Sequence, residues 1–267
     1  MKVLLTRALP VLALGLVAAC SDVPDQGSMS MAPAPATGME SVSRDPVSSS
    51  SAALETVSTN VVASPVSIPD AVALRSARLA RYGKTFDQAF YDASARRNAA
   101  DIAKLTQAFL NLGPGVDPEE AQRAAYVVYT YVDQLVVEYE ITSGPLAHNT
   151  AVNFGTKPRG LCWHWAHDLD DRLQKERFRT LEIHRAIANY DSLRLEHSTT
   201  ILGRRGDAME DSIVLDPWRN GGELFWDIVR NDTRYNWTPR DEVFAFKRAR
   251  KARYEEKQQS LNGDPAL

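Results

Sequence analysis

Apolar and polar positions alternate with two different periods along this chain, and the change of period divides the folded part into halves. From residue 70 to residue 141 the apolar residues recur at helical spacing, which predicts helices over 70–82, 86–97, 98–112 and 117–141. The last of these is the clearest. Asp117 stands at its N-cap, Pro118 at its first helical position and Glu119 and Glu120 in its first turn, with apolar residues at 124, 127, 128, 131, 132, 135, 136 and 139. Its tyrosines, Tyr126, Tyr129, Tyr131 and Tyr139, fit a broad core-facing side. Ser143-Gly144-Pro145 ends it, and residues 144–159 read as a loop containing His148, Asn149, Asn153 and Lys157.

Gly160-Leu161-Cys162-Trp163-His164-Trp165-Ala166 then opens one more helix, with Trp165, Leu169 and Leu173 along one side. Beyond it the period shortens. Residues 178–188, 193–202, 212–218 and 224–229 read as strands joined by short turns, and Thr238-Pro239-Arg240-Asp241 caps a last helix reaching about residue 259. Helices followed by short strands predict an α+β fold in which the Cys162 helix packs on an antiparallel sheet.

The first seventy residues follow neither period. Met1 to Ala19 has Lys2 and Arg7, then an apolar run too short to span a bilayer, then small residues. Residues 1–19 read as a signal peptide, and Val17-Ala18-Ala19-Cys20 resembles the bacterial lipobox. That resemblance implies cleavage before Cys20, a diacylglycerol on its thiol, and a lipid anchor in the cell envelope facing the periplasm. Ser21 after the cysteine points to the outer membrane. Residues 20–69, rich in Ser, Ala, Pro, Val and Thr, form a tether that buries too little apolar surface to order itself. Random-coil scaling places the folded domain about 35–45 Å from the anchor. The domain covers 70–259, and 260–267 form a frayed tail.

Charge changes the picture little. The formal charge is -3, and removing Lys2 and Arg7 leaves 29 basic residues against 34 acids, a charge of about -5. This is not the footprint of a nucleic-acid binder. The basic run from Lys247 to Lys257 is interleaved with Glu255 and Glu256 and reads as a solvated face. The cysteine count matters more. Of two cysteines, Cys20 is assigned to lipid, so Cys162 is the one free thiol and no internal disulfide forms.

Cys162 at a helix N-terminus has the setting that favours a thiolate. His197 on the second predicted strand and Asp216 on the third supply a base and an orienting acid. A two-residue hairpin at Gly206-Asp207 would set His197 directly opposite Asp216, a turn one residue longer would make them diagonal neighbours still within reach, and residues 204–211 could instead form a wider loop. Gly160, Cys162, Trp163 and Ala166, then His197, then Val214-Leu215-Asp216-Pro217 resemble the transglutaminase-like branch of the papain-like cysteine enzymes. The resemblance spans about residues 155–220 and implies a Cys162-His197-Asp216 triad acting on amide bonds without metal or cofactor, as a peptidase, amidase or acyltransferase. Animal members place a tryptophan ahead of the cysteine to support the oxyanion. Here all five tryptophans stand at or after Trp163, which leaves the backbone N–H of Cys162 as the oxyanion donor. Substrates are expected among envelope proteins or peptidoglycan stem peptides.

Two other readings compete. His164 and His167, with His148, suggest a metal-dependent hydrolase, because residues three apart share a helix side, but the downstream strands oppose the all-helical fold that such a motif needs. His184 reads as an ordinary strand residue. A lipid-anchored domain with an idle cleft used for binding or envelope structure is the non-enzymatic alternative. The two classes part on one point, since a nucleophile must be reachable and near the imidazole, whereas a sealed sulfur belongs to a core.

Overall fold

A computed structural model describes residues 72–75, 77, 79, 85–192 and 195–262. The signal peptide, Cys20 with its lipid, and the tether through residue 71 lie outside the described residues, as do 263–267 of the tail. Residues 72–75, 77 and 79 of the first expected helix are helical. Six helices follow: α1 (Gln88–Arg97), α2 (Ala99–Leu110), α3 (Pro118–Glu138), α4 (Pro145–Asn153), α5 (Cys162–Gln174) and α6 (Arg240–Asn262). Between α5 and α6 come the strands β1 (Leu181–Ala188), β2 (His197–Arg204), β3 (Ile213–Asn220), β4 (Glu223–Ile228) and β5 (Thr238–Pro239). The sheet order is β4-β3-β2-β1-β5 with antiparallel pairing throughout. The architecture is α+β, as the two periods predict.

Local chemistry explains why the helices start where they do. Asp87 caps α1 by accepting from the Phe90 N–H, and Asp117 caps α3 by accepting from the N–H groups of Glu119 and Glu120. In α5, Trp165, Leu169 and Leu173 are buried together with Cys162. They join Val128, Val132 and Leu135 of α3 and Leu202, Ile213 and Leu215 of the sheet in one core. A smaller cluster, with Ala186, Ile201, Val214, Val229 and Trp237, occupies the opposite side of the sheet. Gly221-Gly222 turns β3 into β4 with φ of +62° and +94°, values that suit glycine in a two-residue hairpin.

Three expectations need correction. Residues 145–153 are helix α4, not loop. Thr238-Pro239 is not a helix cap but a short edge strand, Ala186 pairing with Pro239 and Ile187 with Thr238. Helix α6 continues through Asn262, beyond the domain end expected at 259.

Candidate functional site

The turn that delivers Cys162 is built around one glycine. Gly160 has φ +121°, and a Cβ there would meet His148 Nε2 at 2.4 Å, so no larger residue fits without displacing that ring. His148 Nε2 donates to the Arg159 carbonyl at 2.8 Å. Arg159 in turn pairs with Asp168 at 2.7 Å, and Tyr139 Oη donates to the other oxygen of Asp168 at 2.5 Å. Trp165 Nε1 donates to the Gly160 carbonyl at 3.1 Å. The turn is thus tied to α3, α4 and α5 before the chain enters α5.

His164 closes the first turn of α5. Its Nδ1 accepts from the N–H groups of Gly160 at 3.2 Å and Leu161 at 3.1 Å, which makes it the lone-pair nitrogen of a neutral ring. Burial, reinforced by the Arg159 cation, lowers His164 to about 4. Burial also lowers His148, against its bond to the Arg159 carbonyl and with help from Lys157. His167 is 39% exposed and lies 3.6 Å from Asp171. The three histidines of the metal reading therefore have separate tasks, and among the described residues no group of three potential ligands forms.

On the sheet, His197 Nε2 and Asp216 Oδ2 are 2.7 Å apart, with each residue 1% exposed. The register that brings them together is that of the wider loop rather than of the tight hairpin. Thr200 pairs with Leu215, Ile201 with Val214 and Leu202 with Ile213, two residues off the register of a hairpin tight at Gly206-Asp207. The connection is wider because Arg204 grips both carboxylate oxygens of Asp207, at 2.9 and 2.7 Å, and a 3-10 turn at Met209–Asp211 follows before β3. A shift by two keeps every side chain on its own side of the sheet, whereas a shift by one would not. Extended along the strands, the register sets Trp218 opposite His197 and leaves Asp216 as the diagonal neighbour. The ring centroids of His197 and Trp218 are 4.6 Å apart.

Cys162 approaches the pair at the main chain. Its thiol donates to the carbonyl of Glu196, the residue before His197, at 3.8 Å. The sulfur is fully enclosed, at 0% exposure. His197 Nδ1 is also enclosed and makes no hydrogen bond among the described residues. His197 and Asp216 are thus joined side chain to side chain, while Cys162 reaches the strand one residue away and its hydrogen bond goes to Glu196 rather than to the imidazole.

Compared with family models, curated proteins and solved structures, the chain matches none. Among the described residues no helix is long and apolar enough to cross a membrane.

The structure adds residues that spacing alone did not single out. Arg219 Nε donates to Asp216 Oδ2 at 2.7 Å, and the Trp218 and Arg219 N–H groups donate to Oδ1 at 3.1 and 3.2 Å. Burial pushes Asp216 up, but the His197 and Arg219 bonds and charges outweigh it and hold the carboxyl at about 2. Arg219 also donates to both oxygens of Asp232, at 3.2 and 2.6 Å. Tyr235 and Trp237, with centroids 4.6 and 5.3 Å from His197, complete an aromatic wall around the ring.

Proposed function

We propose that this chain is an envelope-anchored cysteine hydrolase or acyltransferase of the transglutaminase-like kind whose Cys162 must be uncovered before it can react, since the sulfur, sealed in this structure, does not meet the test of reach set out above. The observation that carries the reading is the division of labour on the His197 ring. Its Nε2 carries the hydrogen shared with Asp216, so Nδ1 is the nitrogen with the lone pair, and Cys162 reaches the residue next door. Asp216, ionised and fixed by four donors, holds that tautomer and offsets the charge of an imidazolium.

For reaction, Sγ must exchange the Glu196 carbonyl for Nδ1 and pass its proton there. The thiolate then attacks an amide carbon, with the backbone N–H of Cys162 as the oxyanion donor. The C–N bond breaks as the imidazolium returns the proton to the leaving amine, and a thioester remains on Cys162. Water or a second amine attacks that thioester, giving up its proton to His197, and releases acid or new amide with the thiol restored. Substrates are amides of envelope proteins or peptides within reach of the tether, with membrane attachment through lipidated Cys20 and no metal or cofactor.

Complete enclosure of the sulfur favours a second reading, an anchored binding or structural domain that keeps Cys162 as a core side chain. Alkylation separates the two. In the full chain, iodoacetamide modification read at the Cys162 peptide by mass spectrometry should proceed below pH 7 under native conditions. Cys162→Ala should abolish amide turnover while its circular dichroism stays that of the parent. Modification only after unfolding, or only above about pH 8.5 as for an ordinary thiol, would establish the second reading.

A further inference from the structure

The four buried groups behind Nε2 form an array whose charge closes only one way. Asp216 and Asp232 are anions and Arg219 is the single cation bonded between them, at 2.7 Å to the first and 2.6 Å to the second. The side chains of all three are at most 4% exposed. With a neutral His197 the array carries one net negative charge, and with an imidazolium it carries none. An uncompensated charge in such a setting is expensive, so the array holds an anion that a positive charge on the ring would neutralise. Removing Asp232 reverses the balance, because Arg219 and Asp216 then cancel and an imidazolium beside them is unpaired.

We propose that Asp232, 35 residues beyond His197 in sequence and absent from the triad, is a positioning residue that supplies the countercharge for the His197 imidazolium through Arg219. Its own bonds fit the task. Oδ2 accepts from Arg219 Nη2 and from Trp237 Nε1 at 2.9 Å, while Oδ1 accepts from Arg219 Nη1 and from the Arg234 N–H at 3.2 Å. A carboxylate with four donors remains ionised, and burial of Asp232 is outweighed by them in lowering its pKa.

The other titratable or charged groups near the ring do not supply this charge. Tyr235 is neutral, its ionisation pushed up by burial. Arg234 is exposed, and Glu196 is matched by Lys247 of α6 at 2.7 Å. Cys162 of α5 is the proton donor of the proposed reaction. Among the described residues, Asp232 breaks the tie between Asp216 and Arg219.

This inference rests on the cysteine-enzyme reading for its purpose but not for its test. In the full chain, the titration of the His197 ring is followed by NMR in the parent, Asp232→Asn, Arg219→Gln and the double variant, together with the pH profile of Cys162 alkylation. Asp232→Asn should lower the proton affinity of the ring about tenfold, Arg219→Gln should raise it, and the double variant should return it toward the parent, since Asp216 then stands alone with one negative charge. The alkylation profile of Asp232→Asn should move toward that of an ordinary thiol. A folded Asp232→Asn whose ring titrates like the parent overturns the proposal. So does failure of both Asp232→Asn and the double variant to fold, because Asp232 is then a folding residue. If the ring responds as stated while Cys162 resists alkylation at every pH in the parent, the charge relation stands and the enzyme reading falls.

Discussion

Asp133 in the helical half and Asp216 in the sheet half are both sealed from water, yet their partners differ in whether they can change charge. Asp133 of α3 accepts from Ser94 Oγ at 2.6 Å, Arg97 Nη2 at 2.6 Å, Asn98 Nδ2 at 2.9 Å and from Arg75. Two guanidinium groups share this one carboxylate, and the arginines are 21% and 24% exposed, so both reach solvent. Burial opposes ionisation of Asp133, but Arg75, Ser94 and Arg97 outweigh it and keep the carboxyl below its usual range. None of its partners changes charge near neutral pH. Asp216 shares its arginine with a second carboxylate and bonds to an imidazole, the one side chain whose ordinary titration falls near neutrality. A buried charge is thus no sign of chemistry by itself. What sets the sheet cluster apart is that one proton moves it between charged and neutral.

The largest expected effect tests the fixed cluster. Asp133→Ala removes the anion shared by two arginines and leaves a cavity, and breaking a buried pair from one side costs about 3–5 kcal/mol. Urea unfolding of Asp133→Ala and the parent measures the difference, while the folded variant should show an unchanged titration of His197. A loss below about 1 kcal/mol, or a shifted His197 titration, would erase the contrast between the two halves.

Asp216→Asn comes next and should act through pH. A carboxyl held at about 2 when folded, against an ordinary value of 3.8, contributes stability that is fully present above the ordinary value. That contribution disappears as pH falls from about 4 toward 2, and the shift corresponds to roughly 2 kcal/mol. The melting-temperature gap between parent and Asp216→Asn should therefore be wide at pH 6 and narrow at pH 2. Amide turnover should fall about 1,000- to 10,000-fold at neutral pH, because an asparagine amide no longer fixes the ring tautomer. A melting gap that is the same at both pH values would mean that Asp216 contributes shape rather than charge.

The two halves also differ in how far the sequence foretells them. Helix α3 is legible because its signals are local: Asp117-Pro118-Glu119-Glu120 sets the start, and apolar spacing sets the buried side. Helix α4 is not, since its N-cap is Gly144 and no side chain caps it. It is held by distant partners, His148 on the Arg159 carbonyl and Asn149 Oδ1 accepting from Trp218 Nε1 at 3.0 Å. The meeting of His197 and Asp216 is legible from strand sidedness, which repeats every two residues and so places them together in the tight hairpin and in a connection wider by two alike. The Arg219–Asp232 bond was beyond reach, since pairing of residues 13 apart across a turn and a 3-10 segment has no period to reveal it. The enclosure of Cys162 was equally hidden, because a helix start fixes the direction of a side chain and not what covers it.

The smallest effect concerns the edge of the sheet cluster. Lys247 of α6 binds both oxygens of Glu196, at 2.9 and 2.7 Å, and the Glu196 carbonyl holds the Cys162 thiol. Lys247 is 32% exposed, so solvent screens the pair and its net worth stays under about 1 kcal/mol. Lys247→Met keeps the packing of the stem and removes the charge. Global stability in urea should hardly move. Release of Glu196 should nonetheless raise the population in which the sulfur is uncovered, by at most about fivefold for a difference of that size, and Cys162 alkylation in the native protein should accelerate in proportion. The same substitution leaves the Asp133 cluster untouched, so a matching change there would show that α6 acts on the whole domain rather than on the strand beside the thiol. An unchanged alkylation rate would mean that the enclosure of Cys162 is maintained by the core on the α5 side of the sheet and not by Glu196.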